Sequence, residues 1–283
     1  MDHSRKREIH SSAIVEFDAS MSTVIDKREA SLQKIQYHIK CRPGDVGDYV
    51  LMPGDPGRVP IISQYLESVK QVAHNREFLT HTGEHKGIRV SVCSTGIGCP
   101  STAIAIEELA NIGAKTFIRI GSTGAIHPSL KIGDLVVATA AVRNEGTTSF
   151  HLPMQFPAVA SLEVTNALIR AARELAPRLS FKLWFGMISS DDSFYGETPE
   201  FIEKLRKNGV LNLDMESSAL FIVAQVRGLR AGTINAVAAN LTTGEMIYGE
   251  ENVRLVGGFK KESQVALRAI ELLEAEKGSN AEL

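Results

Sequence analysis

The stretch RVSVCSTGIGCPSTAIAIEELANIGAKTFIRIGSTGA, residues 89–125, carries the decision about fold class. Arg89 to Ser94 reads as a strand. Ser101 to Ile112 reads as a helix that opens on a Ser behind Pro100 and closes at Gly113. Thr116 to Ile120 is a strand again. A strand, a helix and a strand in succession imply parallel pairing through a crossover helix. In such sheets ligands gather at the carboxyl ends of strands. Two loops of this stretch, Ser94–Ser101 and Arg119–Ala125, sit at such ends.

The alternation continues outward in both directions. Upstream, Tyr49–Met52 is a short apolar strand running into Pro53–Arg58, and Val59–Leu66 is helical in period. Downstream come a strand at Leu135–Val142, a helix at Leu162–Leu175, a strand at Trp184–Ser189, a helix at Glu216–Val226 and a strand at Ala231–Ala239. Phe259–Ala275 closes the pattern as an amphipathic helix. Residues 1–34 are charged without a sustained period and read as an extension, mobile or laid on the surface as a short helix. Residues 276–283 read as a frayed tail, which leaves 35–275 as one domain.

With 283 residues, 43% of them hydrophobic, the chain can bury a sizeable core. A formal net charge of -2 argues against nucleic acid binding by bulk electrostatics. It leaves room for a small anion held by a few converging arginines. The three cysteines, Cys41, Cys93 and Cys99, form neither a CxxC pair nor an even framework, so free thiols in a reducing cytoplasm are expected. No signal peptide or membrane-spanning run is visible.

Four segments carry candidate chemistry. In ProGlyAspProGlyArg (Pro53–Arg58), glycines let the backbone approach a ligand, and helix-opening N–H groups with Arg58 suit an anion; the same residues also make a plain turn. In Ser94–Ser101, Gly96 and Gly98 imitate a dinucleotide fingerprint. The third glycine is absent, Pro100 stiffens the turn and no acidic residue follows at the expected distance, so a structural turn is the better reading. Arg119 lies in an apolar strand, where a charge needs a partner. It suits either a phosphate clamp with Ser122 or an ion pair with an internal carboxylate. In AsnLeuAspMetGluSerSerAla (Asn212–Ala219), Glu216 can accept from a ribose diol with Met215 against the sugar, while Asp214 can cap the following helix.

The four segments, in this order, resemble the nucleoside phosphorylase-I family, and within it the uridine phosphorylase branch. The similarity runs from about Gln36 to Leu273 and is dense at Asn75–Phe78, Cys93–Glu108, Arg119–Ile126, Phe156–Val159 and Asp214–Ser217. It implies an α/β fold: a single-domain three-layer α/β/α architecture with a mixed, partly barrel-like central sheet flanked by helices. It implies reversible phosphorolysis of a ribonucleoside, with inorganic phosphate as co-substrate and no cofactor. Gly54, Arg58, Arg119 and Ser122 match phosphate-binding positions, and Arg76 matches an arginine reaching the neighbouring subunit's phosphate. Met215 and Glu216 match the ribose-binding pair, and His38 a histidine crossing the interface to the 5′-hydroxyl. Arg119, Arg58 and Glu216 carry the catalytic expectation.

Thr123 and Gly124 are expected to line the base pocket, with Phe194 stacking near the base. Glu77, Ile97 and Ser101 match positions that hold a monovalent cation between subunits in some bacterial members; no catalytic metal is expected. Because Arg76 and His38 act across an interface in this picture, self-association as a dimer or higher is implied. The base-reading half departs from the family. The Gln and Arg that read uracil in the uridine branch are missing after Phe194 and Tyr195, where Gly196 to Glu200 follow. Leu241 stands where a further Arg is usual, and the purine-reading Asp is absent from Ala238–Leu241. A uridine phosphorylase, a purine or other-base variant, and a catalytically weak nucleoside-binding paralogue all remain open at this level.

Overall fold

The computed structural model describes residues 35–246 and 253–280. The extension read at 1–34 lies outside the described residues. The element order is β1 (Tyr49–Met52), α1 (Arg58–Ser63), β2 (Glu67–Asn75), β3 (Phe78–His85), β4 (Ile88–Cys93), α2 (Cys99–Asn111), β5 (Thr116–Ala125) and β6 (Leu135–Asn144). Then follow β7 (Ala158–Val159), α3 (Leu162–Leu179), β8 (Leu183–Asp191), α4 (Pro199–Lys207), β9 (Val210–Asp214), α5 (Ser217–Val226), β10 (Arg230–Asn240), β11 (Glu245–Met246) and α6 (Val253–Asn280).

The strands form one sheet in the order β11-β10-β6-β8-β9-β5-β1-β4-β3-β2. An additional β10–β5 pairing closes β5, β10, β6, β8 and β9 on themselves. A five-stranded barrel therefore continues through β5 into an open wing, which is the mixed, partly barrel-like sheet expected. Parallel pairing joins β1 to both β4 and β5, β10 to β5, β6 to β8 and β8 to β9. The remaining pairs are antiparallel. β9 meets β5 antiparallel, β10 meets β6 antiparallel, and β2–β3–β4 form an antiparallel meander. Short turns rather than crossover helices join the strands of the meander, and a tight connection returns the chain in the opposite direction.

Period-two alternation splits the core into two layers. In β1, Tyr49 and Leu51 pack toward α1, α3 and α6, while Val50 and Met52 pack toward α2 and α5. In β5, Ile118 and Ile120 join the first layer and Phe117 the second. Each such side chain, fully removed from water, contributes about 1.5–3 kcal/mol. Arg119 follows the face of Phe117, so its guanidinium is carried into the layer where α2 and α5 begin. Three helices differ clearly in length from their sequence reading, α3 among them, which runs on to Leu179 rather than ending at Leu175. α1 stops at Ser63 rather than Leu66, and α6 runs through Asn280 with no break at 275/276, so the expected tail is largely helix. No helix among the described residues is long and apolar enough to cross a membrane.

Candidate functional site

Adjacency of β4, β1 and β5 sets three loop-bearing strand ends side by side. The first two loops are tied by backbone hydrogen bonds: Thr95 N–H donates to Pro53 O and Gly96 N–H to Gly54 O, both at 2.9 Å. Gly96 has φ +72°, and a Cβ there would stand 2.7 Å from Glu77 Cγ, so this close approach requires glycine. The first loop departs from its sequence reading. Gly57 N–H donates to Asp55 Oδ1 at 2.8 Å, Arg58 N–H to Asp55 O and Val59 N–H to Pro56 O. These helix-opening amides are occupied by the turn itself. The six-residue helix behind them adds little dipole, so the Arg58 side chain, not the backbone amides, supplies the positive charge.

The ion-pair alternative weighed for Arg119 is present. The side chain is 6% exposed; Nε donates to Asp214 Oδ2 at 3.0 Å, and Nη2 donates to Glu216 Oε2. Nη1 is buried and has no partner. Gly54 faces that nitrogen: a Cβ built on it would lie 3.9 Å from Nη1. A buried N–H donor without an acceptor is costly, and this one is aimed at the expected anion position. Burial pulls the guanidinium's pKa down, but Glu216 and Asp214 outweigh it and the net direction is up.

Asp214 is consumed structurally. It accepts from Ser190 Oγ at 2.7 Å and from Ser217 Oγ at 2.6 Å, and it takes Ser217 N–H at the first turn of α5. This is the capping role read from the sequence. Glu216 accepts from Gly98 N–H at 2.8 Å and Met215 N–H at 3.1 Å as well as from Arg119. Burial and the nearby Asp214 push its carboxyl up, while Arg119 and the two amides oppose them. The groups hydrogen-bonded to its oxygens are all donors, and the net direction of its pKa is up, with burial the largest cause.

Arg58 completes this end. Its Nη2 donates to Ser122 Oγ at 3.3 Å, and its guanidinium stacks 3.9 Å above the Phe259 ring. Behind it sits Glu262, fully buried, with neither carboxyl oxygen hydrogen-bonded. Burial drives its pKa well up, against the pull of Arg58 and Arg119. Sequence reasoning missed Glu262. A signal was present: it lies on the apolar stripe of α6 with Phe259, Ala266, Ala269 and Leu273, where a carboxylate is out of place.

One cavity of about 700 Å³ collects these pieces. Gly54, Arg58, Arg119 and Ser122 line it, as do Met215 and Glu216, and Thr123, Gly124 and Phe194. Glu77, Ile97 and Ser101 also reach it, with Ser101 Oγ 3.1 Å from Glu77 Oε1. Two expected residues are outside it. Arg76 is exposed, with Glu77 in the tight turn between β2 and β3, and His38 is fixed by a 2.6 Å contact from Nδ1 to Glu108 Oε1. His38 is half-buried, and neither residue lines the cavity. Glu197, not singled out in the sequence, lines the cavity beside Phe194.

The chain is similar to known proteins along most of its length. The family model described as the phosphorylase superfamily matches residues 48–274. A uridine phosphorylase of Thermococcus kodakarensis is 48% identical over 260 residues, covering 87% of this chain and 90% of that protein. The crystal structure of a uridine phosphorylase from Vibrio fischeri ES114 superposes with a TM-score of 0.75 at 36% identity, covering 83% of this chain and 96% of that one. That of a purine nucleoside phosphorylase from Toxoplasma gondii, in complex with immucillin-H, gives 0.79 at 35% identity, covering 86% and 97%. A match along nearly the whole described chain, at these identities and over almost the full length of its relatives, means that the protein belongs to the phosphorylase superfamily, within its nucleoside phosphorylase-I family.

Proposed function

We propose that the protein is a nucleoside phosphorylase that splits uridine with inorganic phosphate, reversibly, into uracil and ribose 1-phosphate. The observation that carries this reading is Arg119. It is buried, locked by Asp214 and Glu216, and keeps one donor nitrogen unpartnered beside Gly54. In this reading phosphate sits between Arg58, Arg119, Ser122 and Gly54, and the ribose diol meets Glu216 with Met215 against the sugar. A phosphate oxygen forms a bond to the anomeric carbon as the glycosidic bond breaks and its electron pair leaves with the base. The proton released by the phosphate balances the one that the base takes up. Fixed guanidiniums position the nucleophile and stabilise charge as it separates.

Charge bookkeeping supports self-association. Arg58 and Arg119 stand against Asp214, Glu216 and the buried Glu262, so one protomer offers little net positive charge to a phosphate dianion. Arg76 of a neighbouring protomer would supply the missing cation, with His38 reaching the 5′-hydroxyl; a dimer or higher assembly follows. Glu77, Ile97 and Ser101 would hold a monovalent cation near the same boundary. A cytoplasmic setting fits the free, buried thiols of Cys41, Cys93 and Cys99.

The test is base release from a panel of nucleosides with phosphate present and absent. Phosphate-dependent uracil release from uridine is expected. Turnover of purine nucleosides alone would shift the reading to the purine branch, which the missing uracil-reading Gln and Arg and the Toxoplasma gondii neighbour keep in view. No turnover of any nucleoside, with phosphate still raising the melting temperature, would mark a binding paralogue.

A further inference from the structure

The far end of the cavity, beyond Ser122 along β5, is almost wholly apolar. Gly124, Leu213, Ala238, Ala239, Leu241 and Phe194 line it. A pyrimidine ring has a polar edge, and burying that edge without partners costs free energy. The side chains able to meet it are few. Thr123 is engaged: its hydroxyl donates to Leu213 O and accepts from Asn212 Nδ2. Asn240, on the neighbouring strand, is turned away and donates to His127 O and Leu130 O. Glu197 is different. In the otherwise exposed run from Asp192 to Glu200 it alone is half-buried, and it lines the cavity. Among the described residues, no hydrogen bond or ion pair engages its carboxyl group. The 3-10 turn Phe194–Gly196 precedes it, and Thr198 caps α4 immediately after it by accepting from Phe201 N–H, so its backbone is held on both sides.

We propose that Glu197 reads the leaving base as a carboxylic acid, its carbonyl oxygen accepting from the imide N3–H and its O–H donating to an adjacent ring carbonyl. This rests on the uridine reading above. An imide edge sets an N–H donor beside a carbonyl acceptor, and a carboxylic acid offers the reciprocal pair. As the glycosidic bond breaks, negative charge spreads onto the ring carbonyls. The O–H donor then strengthens, whereas an ionised carboxylate would repel that charge. The environment favours the acid. Burial, with Asp191 adding to it, pushes the Glu197 carboxyl up to about 7. Asp191, at the end of β8, is the ionisable group acting on it. The other charged residues of the cavity, Asp55, Arg58, Glu77, Arg119, Asp214 and Glu216, do not contribute to the shift.

The experiment compares wild type, Glu197→Ala and Glu197→Gln on uridine and on 3-methyluridine, which lacks the N3–H donor. Wild type is expected to prefer uridine strongly. Glu197→Ala should lose about 10²-fold in kcat/KM for uridine and most of that preference. Glu197→Gln, which keeps one donor and one acceptor, should stay within about tenfold of wild type. For wild type, kcat/KM for uridine should fall as pH rises through about 7, where the O–H is lost. The ratio of wild type to Glu197→Gln at each pH removes the ionisation of phosphate itself. An unchanged uridine to 3-methyluridine preference in Glu197→Ala, or a wild-type to Glu197→Gln ratio flat with pH, overturns the proposal while uridine turnover stands. A wild type that does not turn over uridine overturns the function instead.

Discussion

The two ends of the cavity are built on opposite principles. At the charged end, side chains from α1, β5, β9 and the turn before α5 are held together: Arg119 between Asp214 and Glu216, Arg58 against Ser122 and Phe259. At the base end the walls are glycine, alanine and leucine, and a single carboxyl group faces the space. A charged network in low dielectric tolerates little change, because removing any member strands the others. An apolar wall tolerates substitution of similar volume. In the proposed reading the charged end fixes the reaction, and the apolar end is where specificity can move without loss of the fold.

The sharpest break is at Arg119. Arg119→Ala should lower kcat/KM by about 10³-fold or more. It should also lower the unfolding midpoint, since stranding a buried charge costs about 3–5 kcal/mol. Arg119→Lys keeps a charge but not the fork, and near-wild-type activity in that variant would end the clamp argument. Next is Arg58→Ala, at the rim of the same network. A hydrogen bond to a charged group contributes about 1.5–3 kcal/mol, so KM for phosphate should rise about 10–100-fold with KM for nucleoside little changed. Steady-state kinetics with each substrate varied in turn checks the split.

At the other end, Gly124→Ala adds a methyl group in ordinary contact, 3.5 Å from Leu241 Cδ1. It should fold normally, cost about tenfold in kcat/KM for the nucleoside and leave phosphate binding alone. Equal damage to both substrates would mean that the two ends are not independent. The smallest effect concerns stability. Burial raises the Glu262 carboxyl's pKa well above 4.5. A raised carboxyl stabilises the fold fully below the unfolded value and loses that contribution as pH climbs toward the folded value. The melting advantage of Glu262→Gln over wild type should therefore grow from about pH 4.5 upward; an advantage that shrinks with pH would mean an ionised Glu262.

The secondary structure was legible wherever apolar periodicity was strong. Residues 89–125 gave strand, helix and strand to within a few positions, with Pro100 in the first turn of α2 and Gly113 just past its end at φ +108°. β2 was not legible, because its residues are mostly exposed and present no apolar face. That hairpin carries Arg76 and Glu77 at its turn, so two candidate site residues were found through family resemblance before their element was known. α4 and β9 were likewise not read. Glu197 escaped notice because a carboxylate in a polar run looks like surface until the fold turns it inward.

By itself the sequence determined which groups are available: guanidiniums at 58 and 119, a carboxylate at 216 and glycines at 54 and 96, each tied to a strand end by local periodicity and turn chemistry. Only the tertiary structure decided which of them meet. Closure of β5, β10, β6, β8 and β9 brings Asp214 and Glu216 against Arg119, 95 and 97 residues away along the chain. Packing of α6 against the sheet buries Glu262, and the turn before α4 leaves Glu197 half-buried. Pairing over such separations is set by sheet register and burial, which no local pattern encodes.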